Sequence, residues 1–333
     1  MVAPPFGESG GPEVATINLA EALARAGVDV TLFAPGDWKV KVKHVPTLPK
    51  SIWNMSKEEK ADIEELKIAS QLAVVGYANN FDIVHFHSKH YAHFAAKKIN
   101  KPAVLTMHNN FSDAYFSEVR AAGFYTVAVS KAQARGRKVD AIINHGLPLE
   151  DIEPCYKAGK DLVFIGRLTD QKGIEEAIAI ARKAGRKLHI FGRIGNTSER
   201  RQYFEECIKP HIDQEKIIYH GAVSHSEIYG FLKRSGALLF PIRRPEVFGL
   251  VAAEALACGV PVIGTKTAPL PELLTSSNVC FLSDDLNELV AAASNLEKFE
   301  RRSCRRYAED NFNSSIMAQN YIQLYRDILS RRL

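Results

Sequence analysis

Short apolar runs rich in Val, Ile, Leu and Phe alternate along the chain with longer stretches whose apolar residues recur every three or four positions. This is the pattern of parallel sheets covered by helices. In the first half the strand-like runs are Val28 to Ala34, Ile83 to His87, Ala103 to His108, Thr126 to Ser130 and Ala141 to Asn144. Glu13 to Ala26 sets Val14, Ile17, Leu19 and Leu23 at helical spacing and closes on Gly27, a C-cap signal. A second series comprises Asp161 to Ile165, Lys187 to Phe191, Ile217 to His220, Ala237 to Pro241, Val260 to Gly264 and Cys280-Phe281. Between the two series lies Gly146 to Lys160, with Pro148, Pro154, Gly159 and mixed charges, a linker composition. The pattern predicts two doubly wound α/β domains, 1–155 and 156–313, with ligands bound at the carboxyl ends of the strands in a cleft between them. Met1 to Ala3 alone precede Pro4-Pro5, so a first strand is barely present and a few upstream residues are expected to be missing.

Composition narrows the class. The 333 residues are 46% hydrophobic and 24% charged, which excludes disordered, collagen-like and low-complexity chains. Five widely spaced cysteines without a Cys-x-x-Cys pair read as reduced cytoplasmic thiols, with neither a disulfide framework nor a structural zinc. No secretory signal is visible, and the apolar run Leu250 to Gly264 is too short to span a bilayer, which needs about 20 residues. The reading is a soluble, cytoplasmic protein. A net charge of +5 is mild and does not imply nucleic acid. Lys39, Lys41 and Lys43, and Arg301, Arg302, Arg305 and Arg306, form basic clusters for which a solvated face is the better account.

The most informative stretch is Pro245 to Ile263. It follows an apolar strand and enters a helix closed by Gly259, so the amides around Phe248, Gly249 and Leu250 form a helix N-terminus suited to an anion. Glu246 precedes that helix and Glu254 lies one turn inside it. Two carboxylates beside a phosphate repel it unless they engage hydroxyls, which suits a ribose diol for one and sugar hydroxyls for the other. The glycine-rich loop Phe6 to Glu13 contains Gly10 and Gly11 but matches neither the dinucleotide fingerprint nor a P-loop.

Glu246 and Glu254, with seven residues between them in a Glu-x-Phe-Gly-Leu and Ala-x-Gly-x-Pro-Val context, resemble the Glu-x7-Glu motif of retaining family 4 glycosyltransferases. The segment Gly166-Arg167-Leu168 followed by Lys172-Gly173 matches the same family. The resemblance implies a GT-B fold, two Rossmann-like domains facing across a cleft, with a final helix at about 314–330 returning to the first. It also implies transfer of a sugar from a nucleoside diphosphate donor to an acceptor hydroxyl. Arg167 and Lys172 would stabilise the departing diphosphate, Glu254 would bind ribose and Glu246 would position the sugar. His108, at the end of its strand, would orient the sugar or polarise the leaving group, and His87 would contact the acceptor. Gly10 and Gly11 would line the place where diphosphate and acceptor meet.

The chain has no Asp-x-Asp, so a metal-bridged diphosphate of the usual kind lacks its ligands, and no metal or other cofactor is expected. His85, His87, His90 and His93 lack carboxylate or thiolate partners at coordinating spacing. In the places of family motifs stand Arg193, where it adds phosphate charge or alters base recognition, the Asn144-His145-Gly146 segment with its intervening histidine, the His220 to Val223 segment, and the Leu270-Pro271-Glu272 loop. A sugar-nucleotide 2-epimerase of the same fold and a non-catalytic sugar-nucleotide binding protein are the alternatives. The acceptor remains open between a small molecule, a lipid and a glycan. Lys39 to Lys43 and Ile52-Trp53 fit peripheral membrane contact and a surface loop equally well.

Overall fold

A computed structural model describes residues 10–88 and 92–331. The expected strand at 1–3, the 6–9 part of the glycine loop and His90 lie outside those residues, as does the side chain of Trp53. Contacts divide the chain into two units, one of residues 10–148 with 313–331 and one of residues 149–312.

In the first unit, β1 (Thr31–Ala34) pairs in parallel with β2 (Lys43–Pro46). A second parallel sheet runs β3 (Val84–Phe86), β4 (Ala103–Thr106), β5 (Phe124–Ala128) and β6 (Ala141–Ile142) in that order. The helices Gly11–Arg25 and Ser314–Leu329 pack together, closing a core of Leu19, Leu23, Val104, Val127, Met317 and Tyr321. Leu147 bridges Asn313, and Ser314 N–H donates to the Leu147 carbonyl at 2.9 Å, where the last helix enters this unit.

The second unit holds one parallel sheet: β7 (Leu162–Ile165), β8 (Leu188–Phe191), β9 (Ile217–Gly221), β10 (Ala237–Phe240), β11 (Val262–Gly264) and β12 (Cys280–Leu282). Its spatial order, β12-β11-β10-β7-β8-β9, reverses direction between β7 and β10. At such a switch point the loops leaving two adjacent strands diverge to opposite faces and open a crevice. Leu162, Phe164, Ile178, Ile190 and Leu239 are all buried beneath it.

Three expectations change. The lysine run 39–43 is no plain surface loop: Lys39, Lys41 and Lys43 are exposed while Val40 and Val42 turn inward against Leu32 and Trp38, and β2 begins at Lys43. The boundary falls at 148/149 instead of 155/156, because Cys155 N–H donates to the Cys258 carbonyl at 3.0 Å and ties the preceding segment to the second unit. The arginine cluster in the helix Arg301–Phe312 is only half solvated. Buried Arg301 donates to the carbonyls of Cys155, Ser235 and Lys233, and Arg305 to those of Ile152, Ala257 and Leu149. Lys233, Ser235 and Ala257 lie at the C-terminal ends of the helices His225–Arg234 and Leu250–Ala257, where unpaired carbonyls favour a cation.

Candidate functional site

The crevice loops of the second unit carry most of the expected site residues. Arg167 follows β7 and is exposed; Lys172 ends the short 3-10 turn Asp170–Lys172. Gly173, at φ 71°, joins that turn to the helix Ile174–Lys183, and a Cβ there would collide with the Pro241 carbonyl oxygen after β10. A glycine is therefore what lets the β7 turn lie directly on the β10 loop. Across this contact the Lys172 ammonium pairs with the Glu246 carboxylate, both largely shielded from solvent, and sits 5.5 Å from the centre of the Phe240 ring. Arg193 leaves the neighbouring strand β8 and is exposed; Leu168 N–H donates to its carbonyl at 3.2 Å. Gly192 lies so close to Gly166 that a Cβ would strike the Gly166 carbonyl. Arg167, Lys172, Arg193 and Glu246 thus stand on three loops that leave the carboxyl ends of adjacent inner strands of one sheet.

Gly249 caps the helix Leu250–Ala257, whose first amides have no side-chain cap. The side chain of Phe248 is buried, edge-on to Phe312 at 5.8 Å, so its ring fills the core instead of lining a ligand site. Glu254 is 8% exposed, and burial raises its pKa, opposed by nearby His225 and by a hydrogen bond with Tyr229. Both partners come from the helix His225–Arg234, whose start carries a capping box between Ser224 and Glu227.

The first unit holds the remaining expected residues. His85 and His87 share one face of β3 and its end, as strand alternation requires, with ring centroids 4.1 Å apart. His87 Nδ1 lies 2.9 Å from His108 Nε2, so one ring donates and the other accepts. His145 stacks on His108 at 5.2 Å and 13°. His85 reaches Tyr325 at 2.6 Å and Thr106 at 2.7 Å, and Thr106 in turn reaches Tyr321 at 2.7 Å. Burial pushes the imidazoles of His85, His87 and His108 well below the ordinary histidine range, and that of His145 down to about 3. At neutral pH this group is uncharged, so His108 can offer a hydrogen bond but no fixed cation. Its Nδ1 and His87 Nε2 are buried without hydrogen-bond partners. Among the described residues no group of three or more His, Cys, Asp or Glu is arranged to hold a metal ion.

Gly10 precedes the helix Gly11–Arg25, with Gly11 exposed at its first position. Glu13 folds back over Gly10; it is buried, and burial raises its carboxyl pKa to about 7. The sequence reading gave no role to Glu13, His145 or Tyr229. His145 was visible as the intruder between Asn144 and Gly146, and Tyr229 lies one turn beyond a legible Ser-x-x-Glu start. Nothing local to Glu13 marks it as buried.

Compared with known proteins, residues 9–145 match the family described as glycosyltransferase family 4, and residues 150–311 match glycosyl transferases group 1. An uncharacterized 41.2 kDa protein of the cps region of Klebsiella pneumoniae is 31% identical over 189 residues, which is 54% of this chain and 51% of that protein. The chain therefore spans about half the length of that curated relative. Among solved structures, sucrose-phosphate synthase from Thermosynechococcus elongatus superposes with a TM-score of 0.78 at 18% identity, covering 99% of this chain and 98% of that one. Anabaena HepE in complex with UDP-glucose gives 0.72 at 18% identity, covering 98% and 97%. These likenesses show the GT-B fold.

Proposed function

The chain belongs to the family 4 glycosyltransferases of GT-B fold, and on that footing we propose that it is a retaining, metal-independent transferase using a nucleoside diphosphate sugar. The observation that carries this reading is the Lys172–Glu246 pair at the switch point of the second sheet. A largely shielded ammonium neutralised by a carboxylate fits a diphosphate site before its ligand arrives: on this reading the incoming phosphate takes the ammonium, and the carboxylate is released to sugar hydroxyls. Arg167 adds a planar fork for phosphate oxygens, and the amides at Gly249 and Leu250 add a helix N-terminus. The solved complex of Anabaena HepE with UDP-glucose supports a donor of this class.

In the reaction the bond from the sugar's anomeric carbon to the diphosphate oxygen breaks, and a bond from that carbon to the acceptor oxygen forms on the same face. The acceptor proton passes to the departing phosphate oxygen. Lys172, Arg167 and the helix N-terminus hold the charge that develops there. Glu254 holds the ribose hydroxyls and Glu246 the sugar. Neutral His108 supplies a hydrogen bond to the sugar, and Gly10 and Gly11 leave room for the acceptor. The acceptor is a hydroxyl of a small molecule, a lipid or a glycan.

Thermal-shift screening against UDP, GDP and ADP sugars tests the donor, because saturation at a hundred times Kd stabilises the fold by about 2.7 kcal/mol. One donor series should raise the melting temperature, and Glu246→Ala should abolish transfer. Epimerisation of the donor in the absence of acceptor, seen by NMR, would overturn the transferase reading in favour of a 2-epimerase.

A further inference from the structure

Arg243 lies three residues past β10, in the loop that carries Glu246, and its side chain is 41% exposed. None of the donor contacts proposed above uses it. Its guanidinium reaches backwards across the switch point to the first turn of the helix Ile174–Lys183, with Nε 2.5 Å from Glu176 Oε1 and a terminal nitrogen 2.9 Å from Glu175 Oε2. Its backbone N–H donates to the Gln171 carbonyl at 2.9 Å, inside the turn that ends at Lys172. Together with the close approach of Gly173 to Pro241, these contacts hold the Lys172 turn and the Glu246 loop at three points. The geometry has a reason to be so redundant. Lys172 and Glu246 lie on the loops that follow β7 and β10, which part at the switch point, and the pairing between those two strands ends at Val163 and Leu238, well before either residue.

We infer that Arg243 is a positioning residue for the donor diphosphate: by bridging Glu175 and Glu176 it fixes the Lys172 turn against the Glu246 loop, and so sets where the ammonium meets phosphate. The bridge needs a fork. Arg can address two carboxylates on one helix turn at once, whereas the single ammonium of Lys cannot reproduce both contacts in that geometry. The inference rests on the reading of Lys172 as a diphosphate ligand, and its test separates the two.

The experiment is isothermal titration of the full chain with whichever of UDP, GDP or ADP stabilises the wild type most. The variants are Arg243→Gln, Arg243→Lys, the double Glu175→Gln/Glu176→Gln, Lys172→Met, and Lys172→Met combined with Arg243→Gln; circular dichroism shows that each is folded. Arg243→Gln and the double glutamate variant should each weaken nucleoside diphosphate binding roughly tenfold, Arg243→Lys should recover only part of the loss, and in the Lys172→Met background Arg243→Gln should add less than about twofold. The nucleoside monophosphate, which lacks the outer phosphate, should lose much less. Equal losses from Arg243→Gln with and without Lys172 would overturn the inference, since Arg243 would then act on the ligand itself. Wild-type affinity in the double glutamate variant would overturn it as well. Unchanged binding in Lys172→Met would sink the donor-site reading on its own account, and the inference with it.

Discussion

Acidification from pH 7.5 to 5.5 should cost the first unit about 4 kcal/mol of stability. The cause is its four buried imidazoles, His85, His87, His108 and His145, all held below the histidine range by burial. In the unfolded chain each takes up a proton near pH 6.5. Where the folded group stays neutral the unfolded state binds more protons, so stability falls as pH drops through that value. Over these two pH units each such histidine removes about 1.4 kcal/mol, and the four together between 5 and 6 kcal/mol. Glu13 works the other way. Its carboxyl is raised from 4.5 to about 7, so the fold gains its proton first and recovers about 2 kcal/mol over the same range. Asp37, whose carboxyl is lowered, titrates below this window and takes no part. A net loss of about 4 kcal/mol is a large fraction of the 5–15 kcal/mol of a typical domain. Hydrogen exchange, corrected for the intrinsic effect of pH, should show β3, β4 and residues 141–147 losing protection, and His145→Phe should restore about a quarter of what the four histidines remove. Protection unchanged between pH 7.5 and 5.5 would refute the reasoning.

The remaining predictions concern the second unit. Glu246→Gln frees Lys172 from its ion pair, so titration should find nucleoside diphosphate binding equal or a few times tighter while turnover falls roughly a hundredfold or more; weaker binding with turnover kept would contradict the exchange described above. Gly173→Ala forces a methyl group onto the Pro241 carbonyl at a positive φ and should cost about 3 kcal/mol in denaturant unfolding. A melting temperature matching wild type would show that the turn does not need this approach. Arg301→Ala leaves three inward-facing carbonyls without their donor and should cost about 3 kcal/mol or more, while Arg302→Ala on the exposed side should stay within about 0.5 kcal/mol. Equal effects of the two would place the arginine face in solvent after all.

Repeating short patterns made most of the strands legible. Every strand-like run named from the sequence overlaps a strand, although β5 begins two residues before Thr126 and β9 and β12 each run one residue past the named end. Charge hid β2: alternation in Lys-Val-Lys-Val-Lys is strand-like, but its lysines read more loudly than the two valines packed behind them. Arg301 and Arg305 were opaque for another reason. A helical spacing of four says that two side chains share a face, yet the carbonyls that receive them stand 48 to 156 residues earlier in the chain. In the candidate site, Glu246 could be named from its place before a helix N-terminus, whereas Arg167 and Lys172 were named through their resemblance to a family motif. Phe248 could not be oriented, since a Phe beside a Gly is read alike whether its ring lines a pocket or, as here, fills the core. Arg243 has no local pattern at all; its partners exist only once β7 and β10 are neighbours.

The helix Ser314–Leu329 completes the core of a unit whose other residues end at 148. During synthesis the ribosome must add all 164 residues of 149–312 before that helix appears, a delay on the order of 10–30 s at ordinary translation rates. Throughout that interval Leu19, Leu23, Val104 and Val127 lack Met317 and Tyr321 to cover them, and His85 and Thr106 lack the two tyrosine hydroxyls. The part of this chain that is made first is thus the part that is finished last, and its nascent apolar face is what a chaperone would meet.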